Sequence, residues 1–256
     1  MKAIGIIPAR YGSSRFPGKP LALIAGKPMI AWVYENASRA KKLNDLLVAT
    51  DDERILEVVS SFGGKAIMTS SKHSTGTERV YEAASKTLYG ASFDDVIVVN
   101  IQGDEPLIDP AFIDALIELF SDSSIQIATA VRKVLRSTEF HNPNEVKVVK
   151  DKNNRALYFS RSNIPFVREP EQGMLFEYWI HIGIYAYRYD VLQKLVKLEP
   201  SFLEEAEKLE QLRWLEHGFD IFTIETTYES LAVDVPADIA KIEEMINSRS
   251  HEFGKL

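Results

Sequence analysis

Ile4-Gly5-Ile6-Ile7-Pro8-Ala9-Arg10-Tyr11-Gly12-Ser13-Ser14-Arg15-Phe16-Pro17-Gly18-Lys19-Pro20 is the stretch that decides the fold. A short apolar run ends at Pro8, and three cations follow among Gly, Ser and Pro before apolar residues resume at Leu21. The run has the character of a buried strand. Gly and Ser in the segment that leaves it let backbone amides crowd close to an anion. The prolines stiffen that segment and lower its ordering cost. Arg10 and Arg15 offer planar forks and Lys19 a point charge, a set suited to a triphosphate. The plainer alternative is a solvated connection, but prolines and cations so dense directly after a buried-type strand are unusual for one.

Outward from this stretch, strand and helix patterns alternate. Pro28 opens a helix that turns Ile30, Val33, Tyr34 and Ala37 to one face. Leu46 to Ala49 reads as a buried strand. Asp51 or Asp52 caps a helix with Ile55, Val58, Val59 and Phe62 inward and Gly63 ending it. Lys65 to Met68 is a further strand, and a polar loop from Thr69 to Gly76 leads to a helix starting near Thr77. Val96 to Ile101 is a strongly β-prone run, and Asp109-Pro110 starts the next helix. Alternation of this kind, with almost continuous apolar strands, predicts an α/β fold: a mostly parallel sheet with helices on both faces. Ligands bind such sheets at the carboxyl ends of the strands. Loops 8–20, 69–79 and 102–106 are therefore expected to meet.

After Ile127 the pattern changes. Val146 to Val149, Ala156 to Phe159 and Trp179 to Tyr187 read as strands without long intervening helices, which predicts an antiparallel extension in the second half. Leu203 to Leu215 reads as one helix, Phe219 to Ile224 as a strand, and Pro236 onward as an amphipathic helix. No flexible linker separates the halves.

The 256 residues can bury a large core. A net charge of -7 argues against general binding of nucleic acid or of a membrane surface, so the opening cations are a local device. The chain has no cysteine, hence no disulfide, thiolate metal site or thiol nucleophile. Met-Lys-Ala followed by a strand lacks the layout of a signal peptide, and no apolar run is long enough for a bilayer. A cytoplasmic protein is the expectation.

Several residues could carry chemistry. Asp104 follows a strand beside Gly103, at the edge where the cationic loop is expected. It suits a divalent cation on a triphosphate; the plainer alternative is a turn-forming Asp after a strand. Glu105 points the other way in an extended segment and is not counted as a second ligand. Asp234, between Val233 and Val235, is either a second metal ligand or a charge placed at a helix N-terminus. His73-Ser74-Thr75-Gly76-Thr77-Glu78-Arg79 joins small hydroxyls to a helix start, which suits an anion or a nucleobase edge, or a plain cap by Thr75 or Thr77. In Trp179 to Tyr187, period two puts His181, Gly183, Tyr185 and Tyr187 on one face, either a surface for a polyhydroxy ligand or a packed sheet face. Arg161 stands past a strand end and can pair with a carboxylate. Glu210 and Gln211 lie on the helix beginning near Leu203.

Pro8 to Pro20 resembles the signature of the sugar-acid cytidylyltransferases, in particular those acting on 3-deoxy-manno-octulosonate (Kdo). Val48 to Asp51, His73 to Arg79, Gln102 to Pro106, Asn142 to Asn144, Leu157 to Arg161, His181 to Tyr185, Leu209 to Arg213 and Val233-Asp234 resemble the same family in the same order. Thr75 stands where the family has serine, and Val235 replaces a commoner threonine. The resemblance implies a nucleotide-diphospho-sugar transferase-like (Rossmann-like) fold. It implies transfer of CMP from CTP to the anomeric hydroxyl of Kdo with release of pyrophosphate, activating the sugar for lipopolysaccharide synthesis. On that likeness Arg10, Lys19, Asp104 and Asp234 are catalytic. Ala9, Arg10, Lys19, Ser74, Gly76, Arg79, Gln102, Gly103 and Asp104 line the nucleotide site. Asp104 and Asp234 hold Mg²⁺, with two ions expected. Arg161, His181, Tyr185, Glu210 and Gln211 face the sugar acid. The family also implies a homodimer, in a single domain spanning 1–256 with a nucleotide-binding part (1–130) and a sugar-acid-binding and dimerisation part (131–256). Rival readings are a cytidylyltransferase for 8-amino-Kdo or a sialic acid, a glycosyltransferase, and a non-catalytic CTP sensor.

Overall fold

The computed structural model describes residues 1–13, 15–88, 95–134, 141–169 and 177–253, with side chains through residue 248. Ser14 of the opening loop lies outside the described residues. In chain order the elements begin with β1 (Lys2–Ala9), a ribbon of β2 (Leu23–Ile24) and β3 (Lys27–Pro28), α1 (Met29–Ala37) and β4 (Asp45–Thr50). Next come α2 (Glu53–Ser61), β5 (Ala66–Met68), α3 (Gly76–Thr87), β6 (Val96–Asn100) and α4 (Pro110–Glu118). The second half adds β7 (Ile127–Val134), β8 (Lys147–Lys150), β9 (Ala156–Ser160), β10 (Tyr178–Arg188) and α5 (Tyr189–Leu195). It closes with α6 (Phe202–Glu207), α7 (Gln211–Glu216), β11 (Ile221–Thr226) and α8 (Asp238–Phe253).

The chain divides into two compact units, one of Met1–Asp94, Val98–Asp114 and Ser230–Leu256, the other of Asp95–Ile97 and Ala115–Glu229. In the first, strands run in the order β6-β1-β4-β5, with β1/β4 and β4/β5 parallel. Ile4, Ile6 and Ile7 of β1 and Leu46 to Ala49 of β4 are all buried, as expected of strands covered on both faces. The expected caps are present. Asp52 Oδ1 accepts from the Arg54 amide at 3.0 Å to start α2, and Asp109 Oδ1 accepts from the Ala111 amide at 2.9 Å to start α4. The C-terminal segment returns to this unit. Val233 and Ile242 bury against Ile24, Met29 and Leu107, with Trp32 and Met245 packed around them.

In the second unit β7 lies between β11, parallel to it, and β10, antiparallel; β8 and β9 continue antiparallel beyond β10. This is the antiparallel second half expected from the change of pattern. Tyr185 and Tyr187 set their rings edge-on to Trp214 of α7, with centroids 5.1 and 5.6 Å away.

Two details differ from the sequence reading. The segment 203–215 is two short helices, because Lys208 adopts φ 54° and breaks the run between α6 and α7. The apolar spacing continues across the break, so periodicity alone reads a single helix. Strand β10 shifts register on β7 between Ile182 and Tyr185. There the Thr129 hydroxyl lies 2.7 Å from the Ile184 carbonyl and 3.2 Å from that of Ile182, occupying the lapse in the ladder. The rings of His181, Tyr185 and Tyr187 still neighbour one another across it, at 5.3 and 5.9 Å. Among the described residues, no helix is long and apolar enough to cross a membrane.

Candidate active site

Three segments leaving β1, β5 and β6 meet in the first unit, together with the segment that precedes α8. They line a cavity of about 350 Å³ that includes Ala9, Arg10, Lys19, Gly76, Gln102 and Asp234. Two glycines permit the close approach. A Cβ on Gly103 would stand 2.6 Å from the Pro8 carbonyl oxygen, so only glycine lets the loop after β6 rest on the end of β1. Gly18 has φ 71° and lies against the Tyr11 ring, with its amide bonded to the Tyr11 carbonyl at 2.9 Å. That closure turns the opening loop into the short 3₁₀ turn Lys19–Leu21 and aims Lys19 back at the cavity.

Lys19 is the hub. Its Nζ lies 2.7 Å from Asp104 Oδ2 and 3.9 Å from Asp234 Oδ1. Asp234 also accepts from both terminal guanidinium nitrogens of Arg15, at 3.1 and 3.2 Å. The two acids, 130 positions apart in sequence, are brought together by backbone: the Val233 amide donates to the Asp104 carbonyl at 2.9 Å, and the Val233 side chain is buried in the α8 cluster. The Asp238 carboxylate then accepts from the amides of Asp234 and Val235 at 2.9 and 3.0 Å, which fixes the turn. The Val235 and Asp234 amides hold the Asp238 carboxyl below the usual range. Glu105 turns inward and accepts from the Ser230 hydroxyl at 2.7 Å, so it is not a partner of Asp104. Arg10 is exposed on the cavity wall.

The loop before α3 is held from below. Thr75 caps the helix, accepting from the Glu78 amide, while Glu78 accepts in return from the Thr75 and Ser74 amides at 3.4 and 2.7 Å. This is the capping box that Thr75-x-x-Glu78 encodes. Burial pushes the Glu78 carboxyl up, but the Ser74 and Thr75 hydrogen bonds and His73 bring it below its ordinary value. His73 also meets Glu82. Burial raises the Glu82 carboxyl, and hydrogen bonds from Lys86, the Ser70 amide and His73 outweigh it, leaving a pKa of about 2. Arg79 is only 4% exposed. It spends its guanidinium on Asp51 Oδ2 at 2.8 Å and Thr69 Oγ1 at 2.7 Å, tying β4 to the loop that bears Ser74.

The five residues assigned to the sugar acid lie in the second unit. His181 is half-buried, its ring edge-on to Phe159 and its Nε2 3.0 Å from the Thr129 hydroxyl; burial depresses its pKa to about 3. Burial also pushes the Tyr185 phenol well above its ordinary value, with the Tyr187 and Glu210 sides adding to it. Gln211 is buried and Glu210 is half-buried at the start of α7. Arg161 gives Nε to the Glu207 carbonyl at 2.8 Å and Nη1 to the Pro143 carbonyl at 3.1 Å. Sequence reasoning missed three supports. Asp51 and Thr69 hold Arg79, and Lys147 donates from a buried Nζ to the Asn142 and Arg161 carbonyls at 2.7 and 3.0 Å. Their only sequence signal is polarity inside or beside an apolar run.

The pattern of the family described as cytidylyltransferase matches residues 4–225. The 3-deoxy-manno-octulosonate cytidylyltransferase of Thermodesulfovibrio yellowstonii is 49% identical over 98% of this chain and its own full length. That of Myxococcus xanthus is 49% identical over 97% of this chain and 98% of its own. A solved structure of CMP:2-keto-3-deoxy-manno-octonic acid synthetase complexed with CTP superposes with a TM-score of 0.90 at 44% identity, over 97% of this chain and all of that one. With the cationic loop, the paired acids and the capped α3 loop in one cavity, the chain belongs to the cytidylyltransferase family, in its 3-deoxy-manno-octulosonate group.

Proposed function

We infer that this protein transfers CMP from CTP to the anomeric hydroxyl of 3-deoxy-D-manno-octulosonate, giving CMP-Kdo and pyrophosphate. The carrying observation is the meeting of Lys19 with both Asp104 and Asp234 in the cavity that Arg10 and the α3 loop also line. In the reaction the sugar oxygen forms a bond to the α-phosphorus, the bond to the bridging oxygen of pyrophosphate breaks, and the hydroxyl proton is lost. Both substrates are anionic, so charge decides the rate. Lys19 and Arg10 stabilise the negative charge that develops on the departing pyrophosphate. The α3 N-terminus, with its first amides, suits the nucleotide.

Asp104 and Asp234 fit a magnesium ion, since one ammonium already reaches both and Mg²⁺ takes a few carboxylates alongside phosphate oxygens and water. When bound, it supplies a lowered pKa for the attacking hydroxyl and neutralises phosphate charge; two ions are proposed, as in other phosphoryl-transfer sites. Arg161, His181, Tyr185, Glu210 and Gln211 are proposed to recognise the sugar acid. A neutral His181 serves there as a hydrogen-bonding group rather than as a cation. The nucleotide-binding and sugar-acid-binding assignments to 1–130 and 131–256, a homodimer and a cytoplasmic location complete the proposal. The family likeness supports them, as does an exposed Leu157 and Phe166 for the dimer. CTP and Mg²⁺ offered with Kdo, 8-amino-Kdo and a sialic acid should release pyrophosphate fastest with Kdo. Absence of release with any of them would refute the reading.

A further inference from the structure

Arg15, one of the opening cations suited to a triphosphate, is engaged elsewhere in the cavity. It meets Asp234 as a two-point fork at 3.1 and 3.2 Å, and it stands on the cavity wall beside Lys19. A carboxylate that gives both oxygens to a guanidinium cannot offer them in full to a divalent ion. Resting on the function inferred above, we propose that Arg15 is shared between Asp234 and the triphosphate, and so makes metal binding depend on nucleotide binding. Phosphate oxygens draw the fork away, because the planar guanidinium matches phosphate as well as it matches carboxylate. Asp234 is thereby released to a divalent ion at the moment when the phosphates supply the remaining ligands. Lys19 follows the same exchange at Asp104, but its pair is less exposed and Lys19 is part of the reaction. Arg15, 67% exposed, can move without disturbing the core. Coupling of this kind is reciprocal: whatever factor nucleotide adds to metal affinity, metal adds to nucleotide affinity.

The test is Mn²⁺ binding to the purified protein, followed by the electron paramagnetic resonance signal of the free ion, with and without CTP and with no sugar acid. Removing the fork in Arg15→Gln should tighten Mn²⁺ binding in the absence of CTP by about two- to fivefold, the range that an exposed pair supports. The enhancement of Mn²⁺ affinity by CTP should shrink by at least that factor, and CTP affinity in a chelator should fall. Arg15→Met, read with a melting curve to verify folding, guards against an effect peculiar to glutamine. Unchanged or weaker Mn²⁺ binding in both folded variants overturns the proposal. Pyrophosphate release by the unsubstituted protein with CTP and Kdo separates this failure from failure of the functional reading. If release occurs while Mn²⁺ affinity ignores Arg15, only the exchange falls.

Discussion

His181 carries a consequence that stands apart from any ligand. Its ring is enclosed by Phe159 and Tyr185, and burial takes its pKa from 6.5 to about 3. The folded protein keeps it neutral, whereas the unfolded chain takes up a proton as pH drops below 6.5. Stability from this group is therefore full above 6.5 and is lost progressively as pH falls toward 3. Because His181 retains some exposed surface, the slope between pH 6.5 and 5 should stay below the limit of about 1.4 kcal/mol per pH unit. Urea denaturation at pH 7.5, 6 and 5 should show this slope, and His181→Gln should flatten it. An equal slope in both proteins would mean that the imidazole is protonated in the fold. Glu82, lowered from 4.5 to about 2, keeps its contribution above pH 4.5 and loses it only as pH falls from there toward 2. For Lys19, half-enclosed beside Asp104, Lys19→Ala should lower turnover by roughly 10²-fold, as loss of one transition-state donor does, with the melting temperature nearly unchanged. Asp104 and Lys19 are legible in the sequence because each follows a strand in a Gly- and Pro-marked loop. The partners of Arg79 are not: Asp51 lies 28 positions away, and nothing local in either residue encodes the pairing.

At the scale of elements, what could be read from the sequence is what periodicity and caps encode. The alternation of strands with helices in the first half, the caps of α2 and α4 and the Thr75 to Glu78 box are all local signals, and each is present. The box also fixes the Ser74 amide. Thr75→Ala should therefore cost about 1 kcal/mol in stability, typical of a lost N-cap, and weaken CTP binding measured by calorimetry. Loss of stability alone, with CTP affinity intact, would separate the helix start from the nucleotide. The break at Lys208 was not legible, because side-chain spacing says nothing about one residue turning to positive φ. Lys at φ 54° carries strain that glycine lacks. Lys208→Gly should leave stability unchanged or raise it by up to about 1 kcal/mol, whereas Lys208→Val should lower it, both by chemical denaturation. The bulge in β10 is likewise silent in the sequence, since the alternation of side chains passes through it unbroken.

Across the molecule, the cavity is assembled from positions that span the chain: 19, 104 and 234. Spacing in sequence carries no sign that the last of these returns to the first unit, and the C-terminal helix reads only as amphipathic. Its packing supplies the answer. Ile242 and Val233 bury against Met29 and Leu107, and the Val233 amide then binds the Asp104 carbonyl, so the acid that follows has nowhere else to go. Asp234→Asn keeps this packing and removes one charge. Turnover should fall, and the magnesium concentration for half-maximal rate should rise about tenfold or more, a loss of roughly 1.4 kcal/mol or more in metal affinity. CTP binding in a chelator should hold or tighten, since an anion that repels the phosphates has gone. Ile242→Ala supplies the complementary case, because it leaves every charge in place. It should cost about 2–5 kcal/mol in stability as a buried truncation, and weaken Mn²⁺ binding only as far as it loosens the 231–235 segment. A normal magnesium dependence and turnover in Asp234→Asn would remove Asp234 from the metal site, whatever the packing of the segment that bears it.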